Sequence, residues 1–191
     1  MTRIAVIVGS TRDGSFNRAL GALAAARLAA HGADVTVVDL SALDLPIYTA
    51  ALEADAFPAD ALKLKDLLAA QDGLLVVSPE YNGSIPALLK NAIDWASRPT
   101  GDEGPVALTA FRGKAAAIMG ASISPFGGIR GLTHLRQILG TIQMLVIPDQ
   151  VLVPNAHAAF DEAGQLREPL PASLVDMTAA RLVAVAKALA A

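Results

Sequence analysis

Five short apolar runs, spaced by longer helix-forming stretches, constrain this chain more than any other feature of it. The runs are Ile4–Val8, Val35–Val38, Leu74–Val77, Ala115–Met119 and Met144–Ile147. Val and Ile recur in them without polar alternation, the pattern of strands covered on both faces, as in a parallel sheet. The stretches between them predict helices over Asn17–Ala30, Ala59–Ala70, Pro86–Ala96, Gly131–Leu139 and Leu174–Ala190, each long enough to be a crossover. A chain that is 53% hydrophobic and 17% charged has the apolar side chains such a sheet consumes, which excludes a disordered class. Its 191 residues suit one core and would leave a second cramped, so residues 1–191 are expected to form one domain.

Right-handed crossovers turn this alternation into an open α/β sheet with helices on both faces, a three-layer sandwich. Five parallel strands suit the flavodoxin-like order 2-1-3-4-5, in which ligands bind beyond the carboxyl ends of the strands. Three connections are long and rich in Pro, Gly, Asp and Glu: Ser41–Pro58, Ser97–Gly113 and Val151–Pro171. Loops of that length are usually functional, and the first two are expected to flank the ligand edge.

Net charge is −3 with Lys and Arg scattered, so neither nucleic acid nor an anionic membrane is an expected partner. The absence of cysteine excludes disulfides, thiolate metal sites and a thiol nucleophile. Met1-Thr2-Arg3 runs directly into Ile4–Val8, too short for a signal-peptide core, and no segment approaches the apolar length of a membrane span. The expected location is the cytoplasm.

The loop after the first strand reads Gly9-Ser10-Thr11-Arg12-Asp13-Gly14-Ser15-Phe16-Asn17. Helix-start N–H groups, the Ser10, Thr11 and Ser15 hydroxyls, the Asn17 amide and the Arg12 fork can all donate to an oxyanion. With Ser15 as N-cap, Arg18 stands three residues on in place of a capping-box Glu, so no carboxylate competes for the helix start. The bland alternative is ordinary capping by Ser15 and Asn17. The loop matches neither a Walker A sequence nor a G-x-G-x-x-G fingerprint, which leaves a mononucleotide phosphate as the better occupant.

The third strand ends in Ser78-Pro79-Glu80-Tyr81-Asn82-Gly83-Ser84-Ile85-Pro86. Pro79 restrains the turn, Gly83 can take positive φ, and Ser84 can cap. Such a turn presents N–H groups and the Tyr81 and Asn82 side chains to the polar edge of a planar heterocycle, of which flavin is one. In the helix that follows, Leu88, Ala92 and Trp95 share a side, and Lys90 and Asp94 stand at i,i+4. That helix is either a core stripe with a solvated ion pair or, with the chain's single Trp as anchor, a subunit contact. A loop of small residues, Gly120–Gly128, follows the fourth strand at the same edge and includes Ser122.

These strings, Gly9–Leu20, Ser78–Pro99 and the Gly127-Gly128 pair, resemble the NADPH-dependent FMN reductase family, which includes quinone, chromate and azo-dye reductases of bacteria. The resemblance runs from Ile4 to about Leu166. It implies an enzyme that moves hydride from NADPH or NADH through FMN to a small-molecule acceptor. By the same resemblance Ser10, Arg12, Ser15 and Asn17 hold the FMN phosphate, Pro79, Glu80, Tyr81, Asn82 and Ser84 line the ribityl chain and ring, and Ser122 closes over the dimethylbenzene side. It further implies a homodimer or homotetramer through the Pro86–Trp95 helix. The sequence departs from the family at Thr49-Ala50-Ala51 and in the less glycine-rich Ala121–Phe126, which bears on acceptor preference. No protein nucleophile or metal is required and no side chain is assigned as acid or base; His31, His134 and His157 are dispersed and read as surface or packing residues. The rival readings are a non-catalytic flavodoxin-like electron carrier and an FMN-binding regulatory module.

Overall fold

The computed structural model describes residues 1–190. Its elements, in chain order, are β1 (Thr2–Val8), α1 (Phe16–Ala30), β2 (Ala33–Val38), α2 (Ala50–Asp55), α3 (Ala59–Ala69), β3 (Gly73–Val77), α4 (Ala87–Ala96), β4 (Ala115–Ala121), α5 (Ile129–Thr141), β5 (Leu145–Val153), α6 (Ala156–Ala159) and α7 (Pro169–Leu189). All strand pairs are parallel, in the order β2-β1-β3-β4-β5. This is the order expected from the alternation of short runs and crossover helices.

Two apolar layers sandwich the sheet because strand side chains alternate between its faces. Ile4, Val6, Leu75, Val77, Ala117 and Met119 pack on one side with Leu20 and Leu28 of α1 and Leu182 of α7. Ala5, Ile7, Leu74, Val76, Ala116 and Ile118 pack on the other with Leu64 and Leu68 of α3, Leu89 of α4 and Leu132 and Leu135 of α5. The central strands β3 and β4 are buried throughout, which is why they carry no polar residue. Among the described residues no helix is long and apolar enough to cross a membrane.

Three segments differ from the sequence reading. β5 continues past Ile147 through Pro148 to Val153, because its register against β4 shifts between Ala116 and Ile118 and the edge position tolerates a proline. The connection expected at Val151–Pro171 is accordingly shorter; it contains α6 and a Phe160–Leu166 bridge, and α7 starts at Pro169, whose missing N–H does no harm in a first turn. The Ser41–Pro58 loop holds α2, capped by Thr49.

Candidate active site

Strand β1 brings the chain to the carboxyl edge, where Gly9 N–H donates to Val77 O at 2.8 Å. A Cβ on Gly9 would lie 3.0 Å from Leu89 Cδ2 and 3.6 Å from Pro79 Cδ, so the first and second loops meet at this residue. Ser15 is the N-cap of α1, its Oγ accepting from Asn17 N–H at 3.2 Å, which spends a lone pair and keeps the hydroxyl hydrogen. Among the described residues, no backbone N–H from Ser10 to Phe16 finds a protein acceptor. Ser10 and Ser15 are buried in the floor of this loop, whereas Thr11 and Arg12 are exposed. The Arg12 guanidinium lies 5.9 Å from the Phe16 ring centre, and Phe16 stacks on Phe160.

Asn17 has a second task. Its Nδ2 donates to Ala121 O at 2.8 Å and its Oδ1 accepts from Ala121 N–H at 2.9 Å, so the buried amide pins the start of α1 to the end of β4. One Nδ2 hydrogen remains for a ligand. Arg18, noticed in the sequence only for not being Glu, donates from Nε to Ser10 O at 3.1 Å and pairs with Asp39 at 3.2 Å, bracing the loop from behind.

In the second loop Tyr81 and Ser84 exchange backbone bonds of 2.8 and 3.0 Å across Asn82 and Gly83, whose φ values are 51° and 79°. That is a two-residue primed turn, for which Asn-Gly is the preferred sequence. Among the described residues the N–H groups of Glu80, Asn82 and Gly83 have no protein acceptor, and the Tyr81 ring is exposed. Ser84 Oγ stands 3.0 Å from His134 Nδ1 of α5. Glu80 turns away from the open edge: its carboxylate accepts from the N–H groups of Arg130 (3.1 Å) and Gly131 (3.2 Å) and pairs with the Arg130 guanidinium, so it caps α5. Burial alone would raise its pKa, but Arg130 and these N–H groups outweigh that and hold it below the usual glutamate value.

The third loop is braced internally. Ser122 Oγ accepts from Ser124 N–H at 3.2 Å and Ser124 Oγ from Phe126 N–H at 3.1 Å. A Cβ on Gly120 would lie 2.9 Å from Ser78 O, so only glycine lets the ends of β3 and β4 approach this closely. Three loops are thus clamped at one edge, with one run of free N–H donors at a helix N-terminus and a second set at a flat turn beside it. The arrangement suits a ligand with an anionic tail and a planar head bearing a polar rim.

The NADPH-dependent FMN reductase family model matches residues 2–158. The chain belongs to that family. It is 38% identical to an NAD(P)H-dependent FMN reductase of Pseudomonas aeruginosa, over 88% of this chain and 86% of the relative. It is 41% identical to a 2-hydroxy-1,4-benzoquinone reductase of a Burkholderia species, over 84% and 80%. The solved structure of FerB, a flavoenzyme NAD(P)H:acceptor oxidoreductase from Paracoccus denitrificans, matches 98% of each chain with a TM-score of 0.83 at 29% identity. As a member of this family of reductases, the protein is an oxidoreductase with FMN as cofactor and NAD(P)H as electron donor. The free donors of the first loop fit the phosphate of that cofactor, and those of the Tyr81 turn fit the polar rim of its ring.

The α4 segment corrects one expectation. Trp95 is fully buried within its own chain: its Nε1 donates to Pro46 O at 2.7 Å, and Tyr48 and Phe57 meet it edge-on at 5.1 and 5.2 Å. It therefore cannot anchor a subunit contact. Asn91 helps it, donating from Nδ2 to Leu45 O and Pro46 O and accepting from Tyr48 N–H, so the two side chains strap the Ser41–Pro58 loop along α4. Lys90 and Asp94 form the solvated ion pair at 2.8 Å. Sequence reasoning missed the Asn91 strap because its acceptors lie more than forty positions away.

The Ser97–Gly113 loop does not flank the ligand edge as expected: it leaves the end of α4 and feeds the amino end of β4, opposite the carboxyl ends of the strands, because a right-handed crossover returns the chain to that side. Lys65 of α3, 3% exposed, donates to Arg98 O (2.7 Å) and Thr100 Oγ1 (2.9 Å) and is paired with Glu103. Burial of Glu103 opposes ionisation, yet Lys65, Thr109 and the Thr100 N–H together lower its pKa to about 2. The loop's acidic residue is a fastening, not a ligand group.

Proposed function

We propose that this chain is a cytoplasmic quinone reductase, one FMN-binding domain over residues 1–191, that passes two electrons from NADPH or NADH to small acceptors, quinones foremost. The observation that carries the reading is the unbroken series of free N–H donors from Ser10 to Phe16, joined to the Tyr81–Ser84 turn through the Gly9–Pro79 contact. The 41% identity to a benzoquinone reductase supports the acceptor class.

Ser10, Thr11, Arg12 and Ser15 bind the phosphate, with the remaining Asn17 N–H completing the ring of donors. Pro79, Asn82 and Gly83 shape a turn that would hold the polar edge of the flavin, where the N–H groups of Glu80, Asn82 and Gly83 would favour negative charge on the ring. Tyr81 and Ser84, at the two ends of the turn, would line the ring, and Ser122 would close over its dimethylbenzene side. Bound FMN supplies hydride chemistry, so that quinone, NADPH and one proton give hydroquinone and NADP⁺. The chain's own part is to bind, orient and polarise, and no side chain is assigned as acid or base.

The functional unit is a homodimer or homotetramer with α4 at the contact. A cleft of about 440 Å³ between α4 and α5, lined by Lys90, Ile93, His134, Ile138 and Ile142, offers an apolar strip for it in place of Trp95.

Replacing Arg12 and Ser15 together with Ala tests the cradle. Loss of one charge-assisted and one neutral hydrogen bond weakens FMN binding roughly 10²-fold, read by flavin fluorescence titration, while loss of the cap lowers stability by only about 1 kcal/mol. Unchanged FMN affinity overturns the reading.

A further inference from the structure

Among the described residues thirteen large apolar side chains are exposed, and three of them, Tyr81, Ile123 and Phe126, stand on the second and third loops of the candidate site. Phe126 is 61% exposed although the backbone of its loop is tied down. Its N–H is held by Ser124 Oγ, its carbonyl accepts from Ile129 N–H at 3.2 Å, and Gly127 beside it is tied to Ser124 O at 3.3 Å. Its ring lies 5.8 Å from the Arg130 guanidinium. Arg130 is in turn locked by Glu80, whose side chain is 8% exposed and which directly precedes Tyr81. A Cβ on Gly131 would lie 3.4 Å from Glu80 Cα, so the start of α5 and the Tyr81 turn are in contact.

We propose that Phe126 is the specificity residue for planar acceptors: its free face stacks on a quinone ring presented at the mouth of the flavin site. The inference rests on the function proposed above and adds the element that chooses the acceptor. An aromatic ring left in water by a loop with three bracing hydrogen bonds has been kept from collapsing onto the core, and the arginine beneath it covers one face only. Stacking on the other face removes apolar surface from water and adds the offset-ring attraction available to any flat conjugated acceptor. A compact inorganic oxidant gains nothing from the ring. The chain of contacts from Phe126 through Arg130 and Glu80 to Tyr81 sets the platform beside the turn assigned to the flavin edge.

The test compares FMN-loaded wild type with Phe126→Ala and Phe126→Tyr, using NADPH as donor and benzoquinone or ferricyanide as acceptor. Phe126→Ala is expected to raise KM for the quinone roughly 5- to 20-fold, with KM for NADPH, turnover with ferricyanide and FMN affinity unchanged; Phe126→Tyr restores the quinone KM. An unchanged quinone KM in Phe126→Ala, or an equal rise for quinone and NADPH, overturns the inference while leaving the proposed function standing. A wild-type protein that binds no FMN, or whose flavin NADPH does not reduce, removes both.

Discussion

Replacing Glu103 with Gln isolates the fastening of the Ser97–Gly113 loop. In the folded protein Glu103 has a pKa near 2, against an ordinary 4.5, a difference of 2.5 units set by Lys65, Thr109 and the Thr100 N–H against the opposing effect of burial. At 1.36 kcal/mol per unit this is about 3 kcal/mol of preference for the charged form. The Glu103 side chain is 24% exposed, so solvent screening trims the contribution to about 2–3 kcal/mol. The folded pKa is depressed, so the stabilisation is fully present above pH 4.5 and is lost as pH falls toward 2. At pH 3.5 roughly two-fifths of it has gone. Urea unfolding of wild type and Glu103→Gln, both saturated with FMN, is expected to differ by about 2–3 kcal/mol at pH 7 and by distinctly less at pH 3.5, with equal m values. A gap that is the same at both pH values, or one below about 0.5 kcal/mol at pH 7, would refute the assignment.

Asn17→Ala is expected to behave unlike the Arg12/Ser15 double variant: it removes two buried bonds to Ala121 and lowers stability by about 2–3 kcal/mol, while FMN affinity falls through displacement of the loop. Thermal unfolding of the FMN-free variants separates the two, and an Asn17→Ala protein as stable as wild type contradicts the clamp. Lys114 donates to Leu68 O and Ala69 O at the end of α3, and its pKa is lowered to about 8, chiefly by burial, against an ordinary 10.5. The folded state sheds this proton first, so stability should climb between pH 8 and 10.5, and a neutral amine still has two hydrogens for the two carbonyls. Lys114→Met should flatten that climb in denaturant titrations; an unchanged pH slope rejects it.

The local parts of the site were legible in the residues. Ser15 caps α1 as its position before an Ala- and Leu-rich run predicts, and Asn82-Gly83 adopts the paired positive φ that this dipeptide favours. Both depend on conformational preferences that act within four residues. What could not be read were roles set by partners distant in sequence. Glu80 stood in the string assigned to the ribityl chain and ring, but its carboxylate faces Arg130 and Gly131 some fifty positions on. Trp95 looked like an interface anchor because an amphipathic helix pattern cannot say whether its own chain supplies a cover, and here the Pro46–Phe57 segment does.

By itself the sequence determined the sheet: unbroken apolar runs leave water only when helices cover both faces, and crossovers of one hand then permit few strand orders. It also determined that the first loop would be rich in donors, since Ser, Thr, Arg and Gly were already in line there. Tertiary structure alone decided which donors stay free, because a hydrogen bond depends on what folding brings within about 3 Å: Asn17 lost most of its amide to Ala121, whereas the N–H groups of Ser10 to Phe16 met no acceptor among the described residues. It likewise decided that Arg130 would stand between Glu80 and the exposed ring of Phe126.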